Sequence, residues 1–136
     1  MKRWLALLPA LALAGCASTQ TWQVVAVYTA PDLPGDVPAD AAGRVNFAVD
    51  GTTFTGSTGC ADVAGEFAQD GDTVTLETLT VGDVGECTGG TRHIHEQLVP
   101  LLTQGATFTR RDLSEYEVML TGDNTVEPPS IRLMLL

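Results

Sequence analysis

Residues Thr55–Phe67, T-G-S-T-G-C-A-D-V-A-G-E-F, are where the fold of this chain can be read. Two runs that alternate apolar with polar residues meet there at Cys60, behind Gly59, a residue type that takes a left-handed backbone at little cost. A second cysteine, Cys87, lies in another glycine-rich turn, V-G-D-V-G-E-C-T-G-G. Short strands broken at chemically fixed turns predict a β-rich domain.

The flanking sequence extends the pattern in both directions. Arg44 to Asp50 and Thr52 to Thr58 alternate around Asp50-Gly51, a strong hairpin signal, with Val45, Phe47 and Val49 directed to the core. Val63 to Gln69 and Thr73 to Thr80 form a second pair around Asp70-Gly71-Asp72, with Val74, Leu76 and Leu79 inward. Upstream, Trp22 to Tyr28 reads as a strand with Trp22, Val24, Ala26 and Tyr28 on one face. Downstream, Ile94, Leu98, Leu101 and Leu102 fall on one side of a helix over 91–103, and Pro100 should kink it or end it near Val99. Ala106 to Arg111, Glu115 to Thr121 and Ser130 to Leu136 return to strand character.

The expected fold is mainly β (α+β). Seven or eight short antiparallel strands would form a small curved sheet, or barrel-like meander, packed on one helix. Pro31 to Gly43 carries three prolines, Gly35 and the acids Asp32, Asp36 and Asp40, and reads as a long exposed loop of the kind that often binds.

The N-terminus supplies an address. Lys2 and Arg3 precede an apolar run of about eleven residues, which ends in Leu13-Ala14-Gly15-Cys16. The run is shorter than the roughly 18 to 20 residues that span a bilayer, so a signal peptide is the better reading than a membrane anchor. Small residues before a cysteine form a lipobox, whose thiol accepts diacylglycerol before cleavage. Residues 1–16 are therefore assigned as a lipoprotein signal, 17–21 as a polar tether and 22–136 as one domain. Cys16 would hold the protein on the outer side of the cytoplasmic membrane, or on the outer membrane if the cell has one.

Removing Lys2 and Arg3 leaves 5 basic residues against 17 acidic ones, a formal charge of −12. No Lys remains after residue 2, and only Arg110 and Arg111 adjoin. Nucleic acid is excluded as a partner on that ground. With Cys16 used for lipid, Cys60 and Cys87 make an even pair in an oxidising compartment, and a disulfide is expected. Free or metal-bound thiols are the poorer alternative, because the spacing is not C-x-x-C and neither turn supplies a nearby His.

The order of these features resembles the META/HslJ-like domain family over Trp22 to Leu136. Gly56 to Phe67 is similar to that family's G-x-x-G-C-N-x-x-x-G-x-Y signature. Gly56, Gly59, Cys60 and Gly65 match it, Phe67 takes the aromatic place, and Ala61 stands where the family has Asn. The approach to the second cysteine, Val81 to Cys87, and the proline-rich loop depart from the family pattern. The resemblance implies a small curved antiparallel sheet on one helix, in an envelope protein without established enzymatic chemistry and linked to stress tolerance or surface roles.

The chain carries little that would catalyse. His93, His95 and Glu96 are the one cluster of metal-ligand types, but positions i and i+2 of a helix point about 200° apart, so the two imidazoles cannot share an ion. Ser57 and Ser114 lack a G-x-S-x-G context, and Cys87-Thr-Gly-Gly-Thr91 lacks the Lys of a phosphate loop. No catalytic residue, metal or cofactor is assigned. Two functions are consistent with this: an envelope lipoprotein supporting integrity or stress tolerance, and a surface module binding a peptide or a small apolar ligand. Trp22 and Tyr28 are the aromatic residues to watch, since an open groove beside the proline loop would favour binding.

Overall fold

A computed structural model describes residues 19–30, 33–123 and 126–136. The signal segment, Cys16 and its lipidation lie outside the described residues. Eight strands follow one another around a closed antiparallel barrel. They are β1 (Gln20–Tyr28), β2 (Asn46–Asp50), β3 (Thr53–Ser57), β4 (Asp62–Asp70), β5 (Thr73–Val81), β6 (Thr107–Asp112), β7 (Glu117–Gly122) and β8 (Ser130–Leu135). β8 returns to β1, with Trp22 opposite Leu135, so every strand has two neighbours. Closure removes the sheet edges that an open meander of this size would expose. One helix, α1 (Gly89–Leu98), interrupts the meander between β5 and β6.

Two bulges set which side chains enter the barrel. Between Val24 and Ala26 the register of β1 on β8 shifts by one residue, so Val24 faces Leu133 while Val27 faces Ile131. Val27 is fully buried and belongs to the core. Strict alternation from Trp22 put Tyr28 on that face; the extra residue Val25 turns it outward instead, opposite Ser130. The second shift, at Glu66/Phe67, leaves Glu77 as the extra residue on β5. It reconciles Leu79 with Leu76 and Val74, an odd spacing that a regular strand could not bring to one face.

One end of the barrel is closed. Ile94 and Leu98 of α1 are completely buried against Val24, Val27 and Val45, and Leu102 follows them inward. The regular helix ends at Leu98 and continues as a single 3₁₀ turn over Val99–Leu101, as a proline at position 100 demands. It begins two residues earlier than the apolar stripe indicates. The carboxylate of Asp40, far away in sequence, accepts from the Gly90 amide at 2.9 Å and so supplies a partner for the helix N-terminus.

Within the loop expected at Pro31 to Gly43, the described residues from Leu33 on are mostly exposed, yet they are fastened to the barrel. The Val27 amide donates to the Gly35 carbonyl at 2.8 Å, and the Val37 amide to the Val25 carbonyl at 3.1 Å. Asp36 bridges Ala26, and a 3₁₀ turn over Ala39–Ala41 buries Ala41 completely. The segment is a strap between β1 and α1. Pro34 and Pro38 fix the path, while Asp36 stays in water and Asp40 caps the helix.

Cys60 and Cys87 are disulfide-bonded, Cα atoms 5.5 Å apart, and the bond ties the β3–β4 turn to the entry of α1. Gly59, at φ 100°, presses its turn so close to the helix that a Cβ there would lie 3.2 Å from the Thr91 carbonyl oxygen. Buried Thr58 organises the turn from within. Its Oγ1 accepts from the Ala61 amide at 3.1 Å and the Cys60 amide at 3.3 Å, and lies 2.6 Å from His95 Nδ1. The hydroxyl proton has two acceptors within reach, the Ala61 carbonyl oxygen at 3.3 Å and, in the tautomer that leaves Nδ1 unprotonated, the His95 ring.

The bridge closes a loop of 27 residues. On the chain-entropy estimate, Cys60→Ala should cost about 3.5 kcal/mol. Urea unfolding of wild type and variant, both without reductant, checks this; equal midpoints would mean that the strap and α1 hold the closed end alone.

Candidate functional site

The other end of the barrel is open. The Asp50-Gly51, Asp70-Gly71 and Asp112–Glu117 turns surround it, together with the start of β1 and the end of β8. Beneath this rim lies a cavity of about 360 Å³. An eight-stranded barrel has room for its own side chains or for one small ligand. Here α1 plugs the base, leaving the upper interior unfilled, and the volume falls within the roughly 300–1,000 Å³ of small-molecule sites.

The lining follows from strand alternation. Val74 and Leu76 of β5, Phe108 of β6, Val118 of β7, and Ile131 and Leu133 of β8 form the buried part of the wall, and Leu102 joins it from the closed end. Nearer the rim the wall is aromatic. Phe47 and Phe54 meet edge to face with ring centres 6.0 Å apart, and Phe54 lies 6.3 Å from Phe67. Trp22 completes this upper wall and is partly exposed to the opening.

Two glycines explain why the rings sit there. Phe47 pairs across the sheet with Gly56, and Phe54 with Gly65. A Cβ at Gly65 would run into the Thr78 carbonyl oxygen and come within 2.9 Å of the Phe54 ring. A Cβ at Gly56 would meet the Asn46 carbonyl and the Phe47 ring in the same way. The missing side chains let β3 and β4 coil tightly, and each facing phenyl ring covers the bare backbone.

Polar groups are confined to the mouth. Gln20, Thr52, Gln69 and Arg110 line it, and Arg110 is the single charged side chain among the described lining residues. Its guanidinium carbon lies 6.0 Å from the centre of the Trp22 ring. Nε donates to Asp112 Oδ1 at 2.9 Å and Nη1 to Gln69 Oε1 at 3.4 Å. Sequence reasoning missed this residue. The signal was present, since Phe108 and Arg110 are two apart on one strand and must share a face.

The other singled-out residues lie elsewhere. Tyr28 is on the outer wall beside Arg132, whose guanidinium is held above its ordinary pKa by the Glu117 carboxylate and, secondarily, by the Tyr28 hydroxyl. The proline-rich strap is at the closed end, so Trp22 and Tyr28 do not frame a groove beside it. His93 is exposed, and His95 is half-buried against Thr58. Among the described residues no group of three His, Cys, Asp or Glu side chains is placed to hold a metal ion, and no helix is long and apolar enough to cross a membrane.

Comparison with solved structures finds the same architecture. An NMR structure of a protein from Burkholderia xenovorans aligns with 92% of this chain and 87% of its own, at 16% identity and a TM-score of 0.66. A second NMR structure aligns over 85% of this chain and 87% of its own, at 14% identity and a TM-score of 0.53. At such identities the likeness establishes the fold alone. No protein-family model and no curated protein matches the chain.

The glycine-on-phenyl packing should be intolerant of even a methyl group. Gly65→Ala is expected to cost about 1–3 kcal/mol by overpacking, read as a lowered urea midpoint. An unchanged midpoint would mean that β4 can uncoil without loss.

Proposed function

We propose that this chain is a lipid-anchored envelope protein whose barrel receives a small apolar ligand. The observation that carries the binding reading is the cavity, apolar from floor to rim and open at one end. Well-packed interiors leave few voids larger than a water molecule, so a protein whose fold is its whole product would have filled this one. An envelope lipoprotein serving integrity or stress tolerance by its structure alone is therefore the second reading.

The address rests on the sequence. Leu13-Ala14-Gly15-Cys16 has the form of a lipobox, and the resemblance of Gly56 to Phe67 to the META/HslJ-like signature favours the same extracytoplasmic setting. A disulfide-stapled closed end suits an oxidising compartment. We read the protein as non-enzymatic. The cavity brings one cation and three neutral polar side chains to its mouth, without the paired acid and base, or nucleophile and base, that catalysis uses.

Two measurements test this reading. A neutral naphthylamine dye should brighten on binding the wild type. The response should be lost in Leu120→Trp, which fills the cavity, with Val49→Phe as a milder second filling. Equal brightening in wild type and in both folded variants would overturn cavity binding. For the address, metabolic labelling with a clickable fatty acid should mark the protein and fail in Cys16→Ser. Label retained in that variant would exclude Cys16 as the lipid site.

A further inference from the structure

We propose that the ligand is a single aliphatic chain ending in a carboxylate, held tail inward with its head on Arg110; this rests on the cavity-binding reading above. The cavity has two chemically distinct zones. Below the rim its walls are aliphatic and aromatic carbon, which selects an apolar tail and offers no polar partner for a mid-chain functional group. At the rim one fixed positive charge stands within the lining. A ligand matching both zones is amphiphilic, with an anionic end.

The position of Arg110 suits it to this role. The Trp22 ring 6.0 Å away and the bonds to Asp112 and Gln69 hold the guanidinium at the opening. A guanidinium has five N–H donors, and the protein engages one at Nε and one at Nη1. The remaining donors have no protein acceptor among the described residues. Their planar fork matches two carboxylate oxygens, a geometry that a lysine ammonium would not offer. The existing partner is easily shared, since the Asp112 side chain is 66% exposed and a solvent-facing pair of this kind contributes little.

The rim also carries acids. Asp50, Asp70, Asp72 and Asp112 occupy the surrounding turns or strand ends, and all are exposed. Their field favours a cationic head; the more distant acids are screened over about 8 Å at physiological ionic strength, whereas Asp112, 2.9 Å from Arg110 Nε, is not and must share the guanidinium with the ligand. Arg110 instead touches the cavity space itself. The direct contact should therefore outweigh the surrounding acids, and the choice between an anionic and a cationic head is open to measurement.

Trp4→Phe leaves Trp22 as the single tryptophan, so emission from the cavity wall reports occupancy without an added label. In that chain, dodecanoate, dodecanol and dodecyltrimethylammonium are titrated below their aggregation concentrations. Dodecanoate is expected to bind about tenfold or more tighter than dodecanol, as a charge-assisted hydrogen bond allows. Arg110→Gln, checked for folding by circular dichroism, should abolish that preference while leaving dodecanol affinity within about twofold. Asp112→Asn, which frees a donor and removes a rim acid, should raise dodecanoate affinity. Equal binding of acid and alcohol, tighter binding of the cationic amphiphile, or a preference that survives Arg110→Gln would each overturn the assignment of the head group while leaving the cavity reading intact. If none of the three amphiphiles binds, the cavity reading itself fails.

Discussion

The barrel depends on a steric condition met twice: a phenyl ring on one strand must occupy the space where its cross-strand partner would carry a Cβ. Phe47 over Gly56 and Phe54 over Gly65 are consecutive pairs on β2, β3 and β4. They let the strands approach closely and line the cavity with the same rings. Had those positions carried ordinary side chains, the rings would be displaced and β3 could not approach both neighbours at this pitch. The wall of the site and the closure of the fold therefore share one cause.

The closed end is built on a different economy. Little regular structure is available there, so separate segments are bound by a few specific contacts: the disulfide, the Thr58 hydroxyl under the β3–β4 turn, and the Asp40 carboxylate on the start of α1. The disulfide and the Asp40 bond tie residues distant in sequence, Thr58 holds its own turn and reaches His95, and together they hold Ile94 and Leu98 in the barrel base. The strap from Leu33 to Gly43 thereby serves as scaffold. Proline restricts its conformations before folding, which lowers the entropy lost when it is laid against β1.

Much of this was legible in the residues, and the misses have physical causes. Turn chemistry at Asp50-Gly51 and Asp70-Gly71 marked both hairpins, and period-two runs located the strands because each has one wet and one dry face. Tyr28 was misplaced because a bulge has no distinct composition; Val25 looks like any strand residue until β8 shows it to be supernumerary. The strap's attachment was missed because its bonds are made by backbone amides and carbonyls, which sequence does not label. Arg110 was overlooked for a related reason. Alternation assigns it to the inner face, but that a charge can remain there depends on the barrel being open above it, a property of the closed assembly and of no single strand.

The two ends of the chain leave the barrel side by side. β1 starts opposite the last residues of β8, and the Leu136 amide bonds the Thr21 carbonyl, both at the rim. Nearby, Leu113, Tyr116 and Leu136 stand 38%, 60% and 69% exposed. A leash attached ahead of β1 consequently pulls on the mouth and leaves the stapled base pointing away. On the anchor proposed above, the open lip, with its exposed Leu113 and Tyr116 set among acids, would face the surface that holds it, and the proposed ligand could pass between that surface and the interior with little travel through water.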